Sequence, residues 1–216
     1  MSVVRSDIGV EKVYRIFSRY IVDKIINTNI TPNNLSWVSF FLIIISIPFV
    51  IFKENNYFNL VGFILINLSL ILDCADGDLA IKKNMKSSFG AHLDCTLDRL
   101  ADNFFIITII FSNYVNENNV IYLFCGLIFI GFRYCIDNVY FSMIVFLPNF
   151  DQNNLSKSVL FKFVEFFIFT RTNMLFWGSC FIILGLHKEY LLLMSVYTLI
   201  YYFAILIYTY LKSYKK

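Results

Sequence analysis

DCADGDLAIKKNMKSSFGAHLDCTLD, residues 73–98, decides how the rest of the chain is read. Four carboxylates, Asp73, Asp76, Asp94 and Asp98, stand between two apolar segments in a chain of which only 15% is charged. An ionised side chain at membrane depth costs several kcal/mol unless it faces a partner or a polar cavity. Four together therefore imply bound cations. With the apolar run before Asp73 read as a helix, Asp73 and Asp76 lie at i, i+3 near its C-terminal end. Asp94 and Asp98 lie at i, i+4 near the start of the next helix. Two helix ends joined by a short loop aim both pairs at one point. With no His or thiol among these positions, hard oxygen ligands favour Mg2+ or Mn2+ over zinc. Two such ions cancel the four negative charges and suit an in-line displacement at a phosphate or diphosphate. Gly77, Ala80 and Gly90 lie between the pairs, small residues that let backbone approach a ligand closely.

The surrounding chain is built for a bilayer. Its 216 residues are 58% hydrophobic and 19% aromatic, with mean hydropathy +0.67, the balance of a polytopic membrane protein. The expected fold is all-α, a single domain over residues 1–216, with six transmembrane helices preceded by an N-terminal amphipathic juxtamembrane helix. The membrane bundle covers residues 35–211. Its apolar segments run roughly from Leu35 to Phe52, Tyr57 to Cys74, Leu93 to Tyr114, Val120 to Tyr140, Thr172 to Leu186 and Tyr190 to Leu211. The fifth is short of the ~20 residues that cross a bilayer unless it starts near Phe161. The connection before it, 141–170, holds Pro148, an Asn-rich turn and a run carrying Lys162 and Glu165.

Residues 1–30 show no secretory signal pattern. Val10, Val13, Ile16, Phe17, Tyr20 and Ile21 recur there at helical spacing among Arg5, Lys12, Arg15, Arg19 and Lys24, which reads as a helix lying on an anionic membrane surface. A solvent-exposed helix docked on the bundle is the plainer alternative. Thr31-Pro32 then starts the first membrane helix, a cap followed by Pro in the first turn.

Basic residues set the topology. The N-terminus, the 75–92 loop, the 148–171 connection and the C-terminus carry fourteen Lys/Arg, whereas the opposite loops carry only Lys53 and Lys188. The positive-inside rule places both termini and the acidic stretch on the cytoplasmic side of an integral membrane protein. A net charge of +3 with no basic stripe gives nucleic acid no surface to bind. Five cysteines, an odd number with no CxxC, exclude a disulfide framework or zinc site.

The acidic stretch resembles the signature of the CDP-alcohol phosphatidyltransferases, DxxDGxxAR, eight residues, then GxxxDxxxD. Asp73, Asp76, Gly77, Ala80, Gly90, Asp94 and Asp98 are in register, seven of the eight fixed positions. Ile81 stands where the family has Arg; Lys82 and Lys83 follow out of register, and Lys82 is kept among the candidate nucleotide contacts with Gly77, Ala80 and Gly90. TPNNLS, residues 31–36, resembles the family's TPNxxT/S entry to its first membrane helix, which makes Asn33 a candidate contact to the nucleotide phosphates.

The resemblance implies a reaction. A CDP-linked lipid, CDP-diacylglycerol above all, enters from the bilayer and gives its phosphatidyl group to the hydroxyl of a small alcohol, and CMP leaves. Asp73, Asp76, Asp94 and Asp98 would hold two Mg2+ or Mn2+ ions, with Asp98 taking the acceptor's proton as general base. LDCTLDRLAD, residues 93–102, resembles the pattern of members that use inositol phosphate or glycerol 3-phosphate. With Arg133 and Arg171 as a candidate anion pocket, it tilts the acceptor toward a phosphorylated polyol. The resemblance also implies a homodimer in the membrane.

Other readings of the same residues stay open. They are a CDP-aminoalcohol donor acting on diacylglycerol, a cation-coupled transporter whose carboxylates bind ions, and a silent relative marked by Ile81. A structural ion-pair cluster of the aspartates with Arg99, Lys82, Lys83 and Lys86 is the plainest. Arg99 is expected to pair with Asp102 or Asp98, and Arg133 with Asp137. His92, beside the acidic stretch at a helix start, reads as a surface or capping residue.

Overall fold

The computed structural model describes residues 9–52, 56–146 and 169–213. Arg5, Lys53, Pro148, Lys162, Glu165 and the alternative helix start near Phe161 lie outside them. The described residues form seven helices and no strand: α1 (Glu11–Ile25), α2 (Pro32–Ile51), α3 (Asn56–Lys82), α4 (Ser88–Glu117), α5 (Ile121–Phe146), α6 (Arg171–Ile183) and α7 (His187–Ser213).

Local chemistry sets the helix ends. Thr31 caps α2, its hydroxyl accepting from the Asn34 amide at 3.3 Å, with Pro32 in the first turn. Ser87 caps α4 in the same way through the Gly90 amide at 2.9 Å. The sequence places the end of the second membrane segment at Cys74, but α3 runs eight residues further, and the expected 75–92 loop contracts to residues 83–87. What ends α3 is Asn84, in the left-handed region at φ 56. Around it the Met85 amide donates to the Ala80 carbonyl at 3.0 Å and the Asn84 amide to Ile81 at 3.2 Å, a Schellman closure. Gly185, at φ 70, closes α6 by the same pair of bonds, Leu186 to Phe181 and Gly185 to Ile182.

Among the described residues, four helices are long and apolar enough to cross a membrane, over Pro32–Ile51, Asn56–Lys82, Ile121–Val139 and His187–Tyr210. The other two expected segments fall on α4 and α6. Asp94, Asp98, Arg99 and Asp102 dilute the apolar character of α4, although its 30 residues are ample in length. The 13 residues of α6 extend only ~20 Å, less than the ~30 Å of a bilayer core.

The packing is that of a membrane bundle. Large apolar side chains such as Ile64, Leu68, Ile107, Phe111, Leu127 and Phe203 face outward, while Ser39, Ser46, Asn59, Ser69, Ser112, Asn113, Ser179 and Thr198 are buried. Small polar residues let helices approach and bond across the contact. Ser39 and Ser69 join α2 to α3 at 3.1 Å, and the Ser112 hydroxyl donates to the Val50 and Ile51 carbonyls at 3.2 and 3.1 Å. Helix α2 lies along α3 and α4, α5 pairs with α7, and α4 touches α5, α6 and α7, so α4 joins the two halves. At that join Phe105, Phe129, Leu175, Ile182 and Tyr190 are buried together in one apolar core.

Helix α1 docks on α3 by its polar side. Arg15 donates to Asp78 at 2.8 Å and to Glu11 at 2.7 Å, Ser18 donates to the other Asp78 oxygen at 2.5 Å, and Tyr14 donates to Asn67 at 2.5 Å. Val13, Ile16, Phe17 and Tyr20 are left exposed. Of the apolar residues that the sequence offers for membrane contact, these four are thus not consumed by the bundle, whereas Val10 is buried and Ile21 half-buried.

Two stability outcomes follow. A Cβ on Gly178 would stand 2.4 Å from the buried Phe105 ring and 3.1 Å from Tyr190. Gly178→Ala should therefore cost about 1–3 kcal/mol by overpacking, read as a lowered melting temperature in detergent. Asp78→Ala should remove the α3 partner of both Arg15 and Ser18 and cost about 3 kcal/mol, whereas Arg15→Met with Asp78→Leu should recover part of that loss in a double-mutant cycle.

Candidate functional site

The extension of α3 past Cys74 keeps Asp73, Asp76 and Asp78 on one rigid element, and the Ser87 cap starts α4 in time to carry Asp94, Asp98 and Asp102. Helix geometry then does the aiming. One carboxylate oxygen each from Asp73, Asp76 and Asp94 lie within 4.8 Å of one another. Asp76 is buried at 4% exposure and accepts from the Ser36 hydroxyl of α2 at 2.5 Å, which fixes its rotamer. Three convergent oxygens without nitrogen or sulfur are a donor set for a hard divalent cation, so the residues fit Mg2+ or Mn2+.

The fourth motif aspartate meets a cation of the protein itself. Arg171, the first residue of α6, places Nη1 2.8 Å from Asp73 and 3.1 Å from Asp98, and its Nε donates to Asp102 at 3.0 Å. Arg133 of α5 donates to the other Asp102 oxygen at 3.0 Å, also pairs with Asp137, and lies over the Phe169 ring at 5.4 Å. Asp102, 3% exposed, is thus the shared anchor of two guanidinium groups. The expected pairing of Arg99 with Asp98 or Asp102 is corrected: Arg99 reaches Asp137 on α5. Asp102 is already taken by Arg133 and Arg171, whereas Asp137 stands across the helix contact within reach.

The remaining singled-out residues surround this cluster. Asn33, in the first turn of α2, has its Oδ1 3.1 Å from the point where a Cβ on Gly90 would stand, and Ser87 Oγ is 3.0 Å from the same point. Gly90 therefore permits the close approach of the α2 start to the α4 start. Gly77 and Ala80 are half-buried on α3 beside the acids. Lys82 turns away from the acids to Asp23 on α1 at 2.5 Å, and Lys83 donates to the Thr28 and Ile30 carbonyls at 2.6 and 2.8 Å, tying down the α1–α2 connection. Neither lysine joins the acidic cluster, so the ion-pair partners foreseen from neighbours in sequence are replaced by arginines from α5 and α6. His92 and Ile81 are exposed.

Ser36, Arg15 and Asp78 escape the sequence reading. Ser36 lies within TPNNLS, and its hydroxyl at a helix start gives one weak signal. Asp78 has none: an acid two residues after Asp76 looks like part of the same cluster until α1 is seen to hold it.

The CDP-alcohol phosphatidyltransferase model matches residues 29–210. A protein of Aquifex aeolicus (strain VF5), described as an uncharacterized protein, is 33% identical over 102 residues, 46% of this chain and 50% of that protein. The chain thus spans about half the length of this curated relative. The family match includes the acids on α3 and α4, Asn33 on α2 and both arginines; the chain belongs to the CDP-alcohol phosphatidyltransferase family, a family of phosphotransferase enzymes.

Proposed function

We propose that this protein transfers the phosphatidyl group of CDP-diacylglycerol to the hydroxyl of a small phosphorylated polyol and releases CMP. The observation that carries this reading is the convergence of Asp73, Asp76 and Asp94 beside Asp98, with two arginines meeting at Asp102 on the same side. Family membership supplies a CDP-linked donor and an alcohol acceptor, and the family is generally dependent on divalent metal. Asp73, Asp76, Asp94 and Asp98 would hold two Mg2+ or Mn2+ ions, whose chemistry is to neutralise the donor's diphosphate and stabilise charge on the leaving CMP.

The chain's own groups do the rest. Asp98 accepts the proton of the acceptor hydroxyl as its oxygen attacks the lipid-side phosphorus, and the bond from that phosphorus to the CMP oxygen breaks in line. Asn33, Gly77, Ala80 and Gly90 line the nucleotide side, where small residues admit the phosphates close to backbone. Lys82 is the nearest basic residue to the family's Arg position and contacts the nucleotide only by leaving Asp23. Arg133 and Arg171 bind the acceptor's phosphate, for which guanidinium forks are suited.

Orientation follows from charge. Lys12, Arg15, Arg19, Lys24, Lys82, Lys83, Lys86 and Arg171 belong to the acid-cluster end of the chain, which we place at the cytoplasmic face. The exposed Val13, Ile16, Phe17 and Tyr20 of α1 support an interfacial helix, and α4 supplies a fifth span beside the four apolar helices.

Purified protein in detergent with CDP-diacylglycerol and Mn2+ should release CMP with a phosphorylated polyol and not with serine or free inositol. Asp98→Asn should lower that rate about 1,000-fold. CMP release with serine alone would overturn the acceptor assignment, and ion flux without CMP release would overturn the transferase reading. Arg133→Gln should raise KM for the acceptor about tenfold or more while leaving KM for the donor within about twofold. An equal rise in both would remove Arg133 from the acceptor pocket.

A further inference from the structure

Arg171 has a role toward the acids that neither sequence spacing nor family membership assigns. It sits at the N-terminus of α6, behind the Thr170 cap. A cation is locally disfavoured at the positive end of a helix. Its side chain is nevertheless 14% exposed and engages three carboxylates from two other helices. Asp73 is shared between two clusters: its carboxylate belongs to the three-oxygen set with Asp76 and Asp94 and also meets Arg171 Nη1, which meets Asp98 in turn. The divalent-ion donor set and the guanidinium site therefore adjoin through one residue.

Charge decides how they fill. Four motif carboxylates are balanced to within one unit by a single divalent ion plus one guanidinium, and completely by two ions with the guanidinium withdrawn. Arg171 and a second ion cannot both lie against the facing oxygens of Asp73 and Asp98, because like charges at that spacing repel where little water screens them. Resting on the metal reading given under Proposed function, we propose that Arg171 is an intrinsic occupant of the second cation position: the first ion binds at Asp73, Asp76 and Asp94, and the second binds only as Arg171 gives way. Arg171 is then a positioning residue that makes the two ion sites unequal. Binding of any anion that draws Arg171 off Asp73 and Asp98 tightens the second site by the same factor that the ion tightens the anion.

Direct Mn2+ binding tests this without turnover. Free Mn2+ is measured by electron paramagnetic resonance over purified protein in detergent, for the unaltered chain, Arg171→Gln, Arg171→Lys and Asp76→Asn. The unaltered chain should bind two Mn2+ with dissociation constants at least about tenfold apart, a separation typical of coupled sites. Arg171→Gln should tighten the weaker site by about tenfold and the tighter one, which shares Asp73, by less, so that the two dissociation constants converge. Arg171→Lys keeps a positive charge but lacks the fork that spans three carboxylates, and should fall between; it carries the test if the Gln variant does not fold. Two equal sites in the unaltered chain, or a weaker site that neither variant tightens, would overturn the proposal. No Mn2+ binding at all, or binding that Asp76→Asn leaves intact, would instead overturn the metal reading beneath it, and this inference with it.

Discussion

Crowding of acids at one end of the bundle is the constraint on which the rest depends. Asp73, Asp76, Asp94, Asp98 and Asp102 lie on two adjacent helices, where crowded carboxylates repel one another and the buried Asp76 and Asp102 also lose their water. The protein answers with arginines that come from elsewhere in the chain, Arg133 from α5 and Arg171 from α6. Those ion pairs make α4 the member that holds both halves of the bundle together, and they fix the short α6, which has little length with which to anchor itself. Breaking one partner of such a network leaves an uncompensated buried charge, so the cluster is structural and chemical at once.

The rigidity that such a site needs comes from extending helices instead of adding loop. Because α3 continues to Lys82, Asp76 is fixed by helical backbone and by Ser36 from α2. Asn84 then turns the chain in five residues, and Ser87 starts α4. Lys83 braces the α1–α2 connection through two carbonyls, so α1, the start of α2 and the end of α3 form one unit around the acids. Side chains held on regular elements are placed more precisely than side chains on loops.

The outer surface follows a different rule. In a bilayer, apolar side chains gain little by facing inward, so close packing and small polar contacts hold the helices. The buried Ser39–Ser69 and Ser112 contacts act in that way, and the exposed Phe and Ile residues face the surroundings. Helix α1 applies both rules, with a polar docking side on α3 and an apolar side turned out.

The sequence by itself determined the helical class, the Thr31 cap with Pro32, the spacing of Asp73, Asp76, Asp94 and Asp98, and the family those spacings belong to, because these are local periodicities and caps. It ended the apolar segment at Cys74 and read 75–92 as a loop, since residues 75–82 are rich in polar side chains, whereas Ala75 and Leu79 pack with Val22 of α1 and Leu35 of α2 in a helix that runs on to Lys82. The Arg133–Asp137 pair, four residues apart on one helix, was legible in the sequence; for the other arginines only the tertiary structure decided which cation meets which acid. Arg99 is nearest to Asp98 and Asp102 in sequence, yet it pairs with Asp137; Arg171 is 69 residues from Asp102, yet it bonds to it. Long side chains choose partners across helix contacts, and the register of those contacts is set by the packing of the whole bundle.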